Sequence, residues 1–429
     1  MINIFYLLCV LLRGGNHTKP FISDMNKLIN NAYSGIKTEE RKNVKTVNKQ
    51  KRIGDMLQDL SAFLFERYAF RYNVLTEETE FALYNEANYR VIGKREMNGI
   101  TLSARNEGIG CWDKDVNRLI YSDMVEEYHP FASYFDSLPK WDGKDRVGEL
   151  ARRVSDSELW VSSFGTWMRA TAAGWMGLQS ENGRANSVAP IIISREQGWG
   201  KSTFCRMLMP KELKRYFTEN YDLNAPTSAE AKLADFGLIN LDEFDKISVK
   251  KMAQLKNLMQ MSALNIRKAY QRNIKARHRI ASFMGTSNRT DLLTDSTGSR
   301  RFVCVELTKP IDCDTPIDHA QLYAQLKAEI ERGERYWFTS EEEAKIQENN
   351  RRYYRSTPEE EVFHSMFRFA ERDEEGARIM TAAEIYEAMQ KKNGAALRGT
   401  TIHAFSRLLP SMGRKIRTKY CNGYCVVRL

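Results

Sequence analysis

A chain of 429 residues, 42% hydrophobic and 28% charged, has the balance of a soluble globular protein and length for about three domains. Its net charge of +10 fits a polyanionic partner, nucleic acid above all. The seven cysteines are odd in number and scattered, which argues against a secreted disulfide framework. Cys421 and Cys425 lie close together, but zinc would need two further ligands that the neighbouring sequence lacks.

In chain order, the apolar run IFYLLCVLL (residues 4–12) is too short to span a bilayer. No basic segment precedes it and no clean cleavage site follows, so a cytoplasmic protein is expected, without membrane contact. Residues 33–52 are polar and charged, as in an exposed linker or frayed helix. MLQDLSAFLFERYAFRYNVL has helical spacing and then alternation, and ANYRVIGKREMNGITLSA resembles a hairpin around Asn98-Gly99. The stretch DSELWVSSFGTWMRATAAGWMGLQ spaces its tryptophans for buried helices. VAPIIIS, LINLD and IASFMGTSN are short, apolar and β-rich, as in buried parallel strands. The tail offers two helices, MTAAEIYEAMQKK and TTIHAFSRLLPSM, then a hairpin around Asn422-Gly423, the order of a winged helix. These readings divide the chain at 1–55 (unassigned), 56–125 (small α+β region), 126–187 (helical segment), 188–335 (α/β core) and 336–429 (winged-helix-like domain).

The chemistry concentrates in the core. IIISREQGWGKSTF, residues 191–204, is an apolar strand, a glycine turn and a helix start, the elements of a phosphate-binding loop. Gly198 and Gly200 let the backbone approach phosphates, Lys201 reaches the outer phosphates, Ser202 can ligate Mg²⁺, and Thr203 opens the helix. Arg195 stands where the strict pattern has its first glycine. LINLDEFD, residues 238–245, ends a strand in paired acids: Asp242 to hold Mg²⁺, Glu243 to orient or deprotonate water. IASFMGTSN ends in Asn288, placed to contact a γ-phosphate or the lytic water. In TGSRRF, Arg300 and Arg301 precede another apolar strand, as for an arginine offered to a neighbouring subunit's phosphate.

Together QGWGKSTF, LINLDEFD, SFMGTSN and TGSRRF resemble the virulence-associated protein E family of P-loop ATPases, which is similar to superfamily 3 helicases of the AAA+ class. HPFASYFDSLPKWDGKDR matches the segment that precedes the ATPase core in that family, and the likeness covers roughly residues 125–310. The tail is similar to the winged-helix-like C-terminal domain of Bacteroidetes-type members. The resemblance implies an α/β P-loop NTPase core, ATP and Mg²⁺ as cofactors, and a home on phages or mobile elements. Carried over by residue, Lys201 and Ser202 serve nucleotide and metal, Asp242 and Glu243 metal and water, Asn288 is the sensor, and Arg300 or Arg301 the trans-acting finger. Many relatives carry a primase-like or other N-terminal module; for a primase this chain shows no acidic triad.

NIRKAYQRNIKARHR, residues 265–279, follows the acidic pair. Its Arg267, Lys268, Arg272, Lys275, Arg277 and Arg279 could neutralise DNA phosphates while Tyr270 stacks on a base. The tail adds Arg398, Arg407, Arg414, Lys415, Arg417 and Lys419. The expected activity is an ATP-dependent translocase or helicase on single-stranded or forked DNA, acting as a homo-oligomeric ring such as a hexamer, in replication or mobilisation of a phage or integrated element. The alternative is a nucleotide-dependent switch or loader that binds DNA or protein without unwinding. A small-molecule kinase would call for a substrate pocket and lid in place of the Asn288 sensor and paired arginines.

Overall fold

The computed structural model describes residues 54–86, 88–178, 184–266, 275–293, 299–417 and 422–429. The chain forms two compact units, one ending at Tyr128 and one running from His129 to Leu429. No helix among the described residues is long and apolar enough to cross a membrane.

In the first unit, helix α1 (54–67) leads into strands β1 (Tyr68–Asn73), β2 (Glu78–Leu83) and β3 (Arg90–Val91). Helices α2 (Lys94–Asn106) and α3 (Asp113–Ile120) follow, then β4 (Glu127–Tyr128), giving the sheet order β3-β2-β1-β4. The core gathers Leu60, Phe63 and Leu64 of α1 with Phe81, Ile100, Ala104, Val116 and Ile120. Residue 79 alternates with 80 across β2, and Glu80 is wholly buried; Arg71 and Asn73 donate to its two carboxylate oxygens at 2.8 Å. The hairpin expected around Asn98-Gly99 is instead the middle of α2. Ile100, Thr101 and Ala104 repeat at helical spacing and are buried, and Glu96 accepts from the Gly93 N–H at 3.0 Å to start the helix. A buried helical face outweighs the turn preference of one dipeptide.

The second unit opens with α4 (Pro130–Asp136), α5 (Arg146–Arg152) and α6 (Glu158–Trp175). The tryptophans of α6 are core residues as the spacing predicts: Trp160, Trp167 and Trp175 are buried, each stabilising by about 2–3 kcal/mol on area grounds. Trp175 also donates to the Gly237 carbonyl at 3.1 Å. The central sheet has the order β11-β5-β10-β7-β6, every pair parallel. Its strands are β5 (Ala189–Ile193), β6 (Phe217–Thr218), β7 (Leu238–Leu241), β10 (Ser282–Ser287) and β11 (Phe302–Glu306). The runs of β5, β7 and β10 are wholly buried, the pattern of strands covered on both faces. Helix α7 (Lys201–Met207) follows β5, while α8 (Pro226–Asp235) and α9 (Val249–Gln260) cover Ile191, Ile193, Ile239, Leu241 and Phe283. The hairpin β8 (Ala263–Ile266) with β9 (Lys275–His278) is inserted between α9 and β10.

After β11 come α10 (His319–Glu331) and α11 (Ser340–Asn349). A capping box starts α11: Thr339 Oγ1 accepts from the Glu342 N–H at 3.3 Å, and Glu342 accepts from the Thr339 N–H at 2.8 Å. The last domain comprises α12 (Pro358–Met366), β12 (Phe367–Phe369), β13 (Arg378–Met380), α13 (Ala382–Asn393), α14 (Ile402–Met412), β14 (Ile416–Arg417) and β15 (Asn422–Arg428). Both helices read from the tail are present. The expected hairpin centre differs: Arg417 pairs with Asn422 and Ile416 with Gly423, so Asn422-Gly423 is strand, not turn. Strand β15 is also central to β12 and β13, and a Cβ on Gly423 would meet Ile379 Cγ2 at 2.7 Å. Gly423 therefore serves close sheet packing.

Candidate nucleotide site

In an open parallel sheet, ligands sit outside the carboxyl ends of the strands. Here β10 lies between β5 and β7, so the segments leaving these three strands meet in one cleft of about 280 Å³. Its lining includes Gly198, Gly200, Lys201, Ser202, Thr203, Asp242, Glu243, Thr286 and Asn288. Residues read from three separate motifs of the sequence are thus neighbours.

The loop after β5 owes its shape to two glycines. Gly198 has φ 79° and Gly200 φ 84°, a region that costs other residues about 1–2 kcal/mol. A Cβ on Gly200 would also lie 2.8 Å from Cys313 Sγ. The segment after β11 closes over the loop, with the Ile311 N–H donating to the Trp199 carbonyl at 3.1 Å. Sequence reasoning missed this clamp, because nothing in IDCD signals contact with a loop far upstream. Arg195 is exposed and is not among the residues with positive φ. Its position does not require glycine, and its guanidinium reaches Thr290 Oγ1 at 3.5 Å.

Lys201 is 8% exposed and donates to the carbonyls of Ser194 and Glu196, both at 3.1 Å. Burial pushes its ammonium below the ordinary lysine value, and Asp242 opposes the shift. Ser202 Oγ donates to Asp242 Oδ1 at 3.3 Å, and Thr286 donates to the same oxygen. Thr286 was missed by the sequence reading, although it lies two residues before Asn288 and lines the same cleft. The Ser202 hydroxyl and the Asp242 carboxylate form a hard oxygen donor pair facing the cleft. That suits Mg²⁺, which takes one or two protein ligands and fills its shell with water and phosphate. Among the described residues no cluster of three or more His, Cys, Asp or Glu could hold a metal by itself.

Glu243 has φ 54° and ψ 46°, left-handed backbone for a residue with a side chain. Its carboxylate is half-exposed and paired with Lys246, which it holds above the ordinary lysine value. Asn288 is exposed at the end of β10. Just before it, Ser287 is buried and donates to Asp245 at 2.9 Å, tying β10 to the turn after β7.

Arg300 and Arg301 are not in this cleft. They form a 3-10 turn, Ser299–Arg301, that enters β11, and Phe302 pairs with Ala189 at the amino end of β5. The length of β5 separates them from the glycine loop, roughly 13 Å at about 3.3 Å per residue. Arg300 pairs with Glu343 of α11 at 3.1 Å.

Of the expected DNA contacts, Arg267, Lys268, Tyr270 and Arg272 lie outside the described residues. Lys275 begins β9. Arg277 is turned inward and pairs with Asp235 at 2.6 Å, its side chain 8% exposed. Arg279 is fully buried and donates to the carbonyls of Leu258, Met259, Ala281 and Asn186. In this arrangement both arginines hold the hairpin base to the core, not a phosphate. In the last domain Arg398, Arg407, Arg414, Lys415 and Arg417 are exposed, and Lys419 lies outside the described residues.

Among solved structures, the chain is similar to an apo structure of the NrS-1 C-terminal region, with 13% identity and a TM-score of 0.43 over 87% of this chain and 99% of that one. An A-form apo structure of the same region aligns at 14% identity and a TM-score of 0.41, over 86% and 98%. No curated protein matches the chain. A family described only as a domain of unknown function from a B. theta gene matches residues 356–426. The virulence-associated protein E-like domain matches residues 135–355, which contain β5 to β11 and every residue of the cleft. The chain is a member of the virulence-associated protein E-like family.

Proposed function

We propose that the chain is an ATP- and Mg²⁺-dependent DNA translocase or helicase that works as a ring of identical subunits. The observation that supports it best is the convergence of Lys201, Ser202, Asp242, Glu243 and Asn288 from three adjacent strand ends on one cleft. That is the composition of a P-loop NTPase site, and the glycine geometry supports the same reading.

In the proposed reaction, the backbone from Gly198 to Thr203 binds the phosphates, and Lys201 leaves its loop carbonyls for the β- and γ-phosphate oxygens. Ser202 and Asp242 would hold Mg²⁺, which when bound supplies charge neutralisation at the phosphates. Glu243 accepts the proton of the attacking water as the new P–O bond forms and the bond to the ADP oxygen breaks. Asn288 orients that water or the γ-phosphate. Arg300 or Arg301, too far from its own loop, stabilises the developing charge on a neighbour's nucleotide. DNA binding rests on the net charge, the exposed basic residues of the last domain and the cation-rich residues 267–274 that join β8 to β9.

The test is hydrolysis measured with and without single-stranded DNA, for the wild type and Lys201→Ala. DNA-stimulated turnover that falls at least about 100-fold in the variant is expected; turnover that survives the substitution would sink the reading. Strand displacement on forked DNA then separates a motor from a switch, since a switch hydrolyses without unwinding.

A further inference from the structure

A downstream segment, residues 343–354, holds the turn that carries Arg300 and Arg301. Asn350 is wholly buried, and its Nδ2 donates to the Ser299 carbonyl at 2.8 Å and the Phe302 carbonyl at 2.7 Å. The two bonds bracket both arginines. Four residues on, the Tyr354 hydroxyl meets the buried Ser299 hydroxyl. Seven residues before Asn350, Glu343 takes the Arg300 guanidinium. The same segment also pairs with the chain that leaves Asn288: the Leu292 and Leu293 N–H groups both donate to the Tyr353 carbonyl at 3.0 Å, and the Arg355 N–H donates to the Leu293 carbonyl at 2.8 Å. None of these groups touches the nucleotide cleft of its own subunit.

From this geometry we infer that Asn350 is a positioning residue for the arginine turn, and that it acts on hydrolysis in the neighbouring subunit, not in its own. A carboxamide suits the task. Its two N–H groups diverge, so one side chain fixes the carbonyls before and after the arginines and sets the direction in which the turn presents them. Ser299 and Phe302 are buried, which keeps water from standing in as the donor. The inference rests on the proposed trans-acting role of Arg300 or Arg301.

Subunit mixing tests it. Asn350→Ala, Tyr354→Phe and the double variant Arg300→Ala/Arg301→Ala are each assayed for ATP hydrolysis alone and after mixing with Lys201→Ala subunits, whose arginine turn is intact. Alone, Asn350→Ala is expected to fall at least 10-fold and Tyr354→Phe about 3-fold. Mixed with Lys201→Ala, each should exceed the sum of the two separate activities, because an intact P-loop now receives an intact arginine from its neighbour. A merely structural role would give no such gain. Rescue of the arginine double variant without rescue of Asn350→Ala and Tyr354→Phe overturns the assignment and leaves the trans-acting arginine standing. No rescue of the arginine double variant overturns the trans-acting reading, and this inference with it. Should Asn350→Ala fail to fold, Tyr354→Phe, which loses one hydroxyl, decides by the same comparison.

Discussion

The two ends of the five-stranded sheet use charge in different ways. At the carboxyl end, Lys201, Ser202, Asp242 and Asn288 surround a cleft, and the bonds of Lys201 to its loop carbonyls and of Ser202 to Asp242 are ones a ligand could replace. At the amino end, buried charge is committed to architecture: Arg279 to four carbonyls and Arg277 to Asp235. A cation buried among carbonyls is costly to strip of its partners, whereas one facing an open cleft can exchange them. Counting basic residues along a sequence cannot tell these cases apart, because the decision lies in what each side chain faces.

Substitutions can break the contrast. Arg279→Met should be the most damaging to stability, by about 2–4 kcal/mol, since it leaves buried carbonyls without donors. Chemical denaturation reads the loss, and an unchanged midpoint would mean that Arg279 is not structural. Burial pushes its guanidinium down to about 10, still protonated at neutral pH, so the loss should not vary between pH 6 and 8. Next, Gly200→Ala should cost about 1–2 kcal/mol through its φ of 84° and sharply reduce nucleotide binding, measured by titration with a fluorescent ATP analogue. The contact with Cys313 would add to that.

Smaller is Glu342→Gln, about 1 kcal/mol. Arg335, with help from the Thr339 N–H, holds the Glu342 carboxyl at about 2. A depressed carboxyl stabilises the fold above its unfolded value near 4.5 and loses that contribution as pH falls toward 2. Wild type and variant should therefore differ in melting at pH 7 and converge near pH 2. The smallest effect belongs to Arg195→Gly, at a position with ordinary backbone: hydrolysis within about 2-fold of wild type is expected. A large gain would show that the missing first glycine matters.

Much of the carboxyl end was legible in the sequence. Apolar runs such as PIIIS and LINL can be little else than buried parallel strands, and a glycine turn or paired acids directly after such a run mark where side chains emerge from the sheet. What escaped was long-range. Thr286 matters through Asp242, Cys313 through Gly200, and Asn350 through a turn some fifty residues earlier; each partner is set by tertiary packing. The two Asn-Gly pairs misled for a related reason. A dipeptide's turn preference is worth little once its neighbours bury a helix face, as around Asn98, or once a strand needs a residue without Cβ, as at Gly423.

The left-handed backbone of Glu243 has a consequence for the history of such a chain. Glycine at this position would relax the turn by on the order of 1 kcal/mol. Every round of mutation therefore offers a more durable molecule that lacks the carboxylate. Selection for persistence alone drifts toward glycine there, and the proposed use of the acid would hold the line. On the proposed reaction, Glu243 is a place where durability and activity pull against each other within one residue.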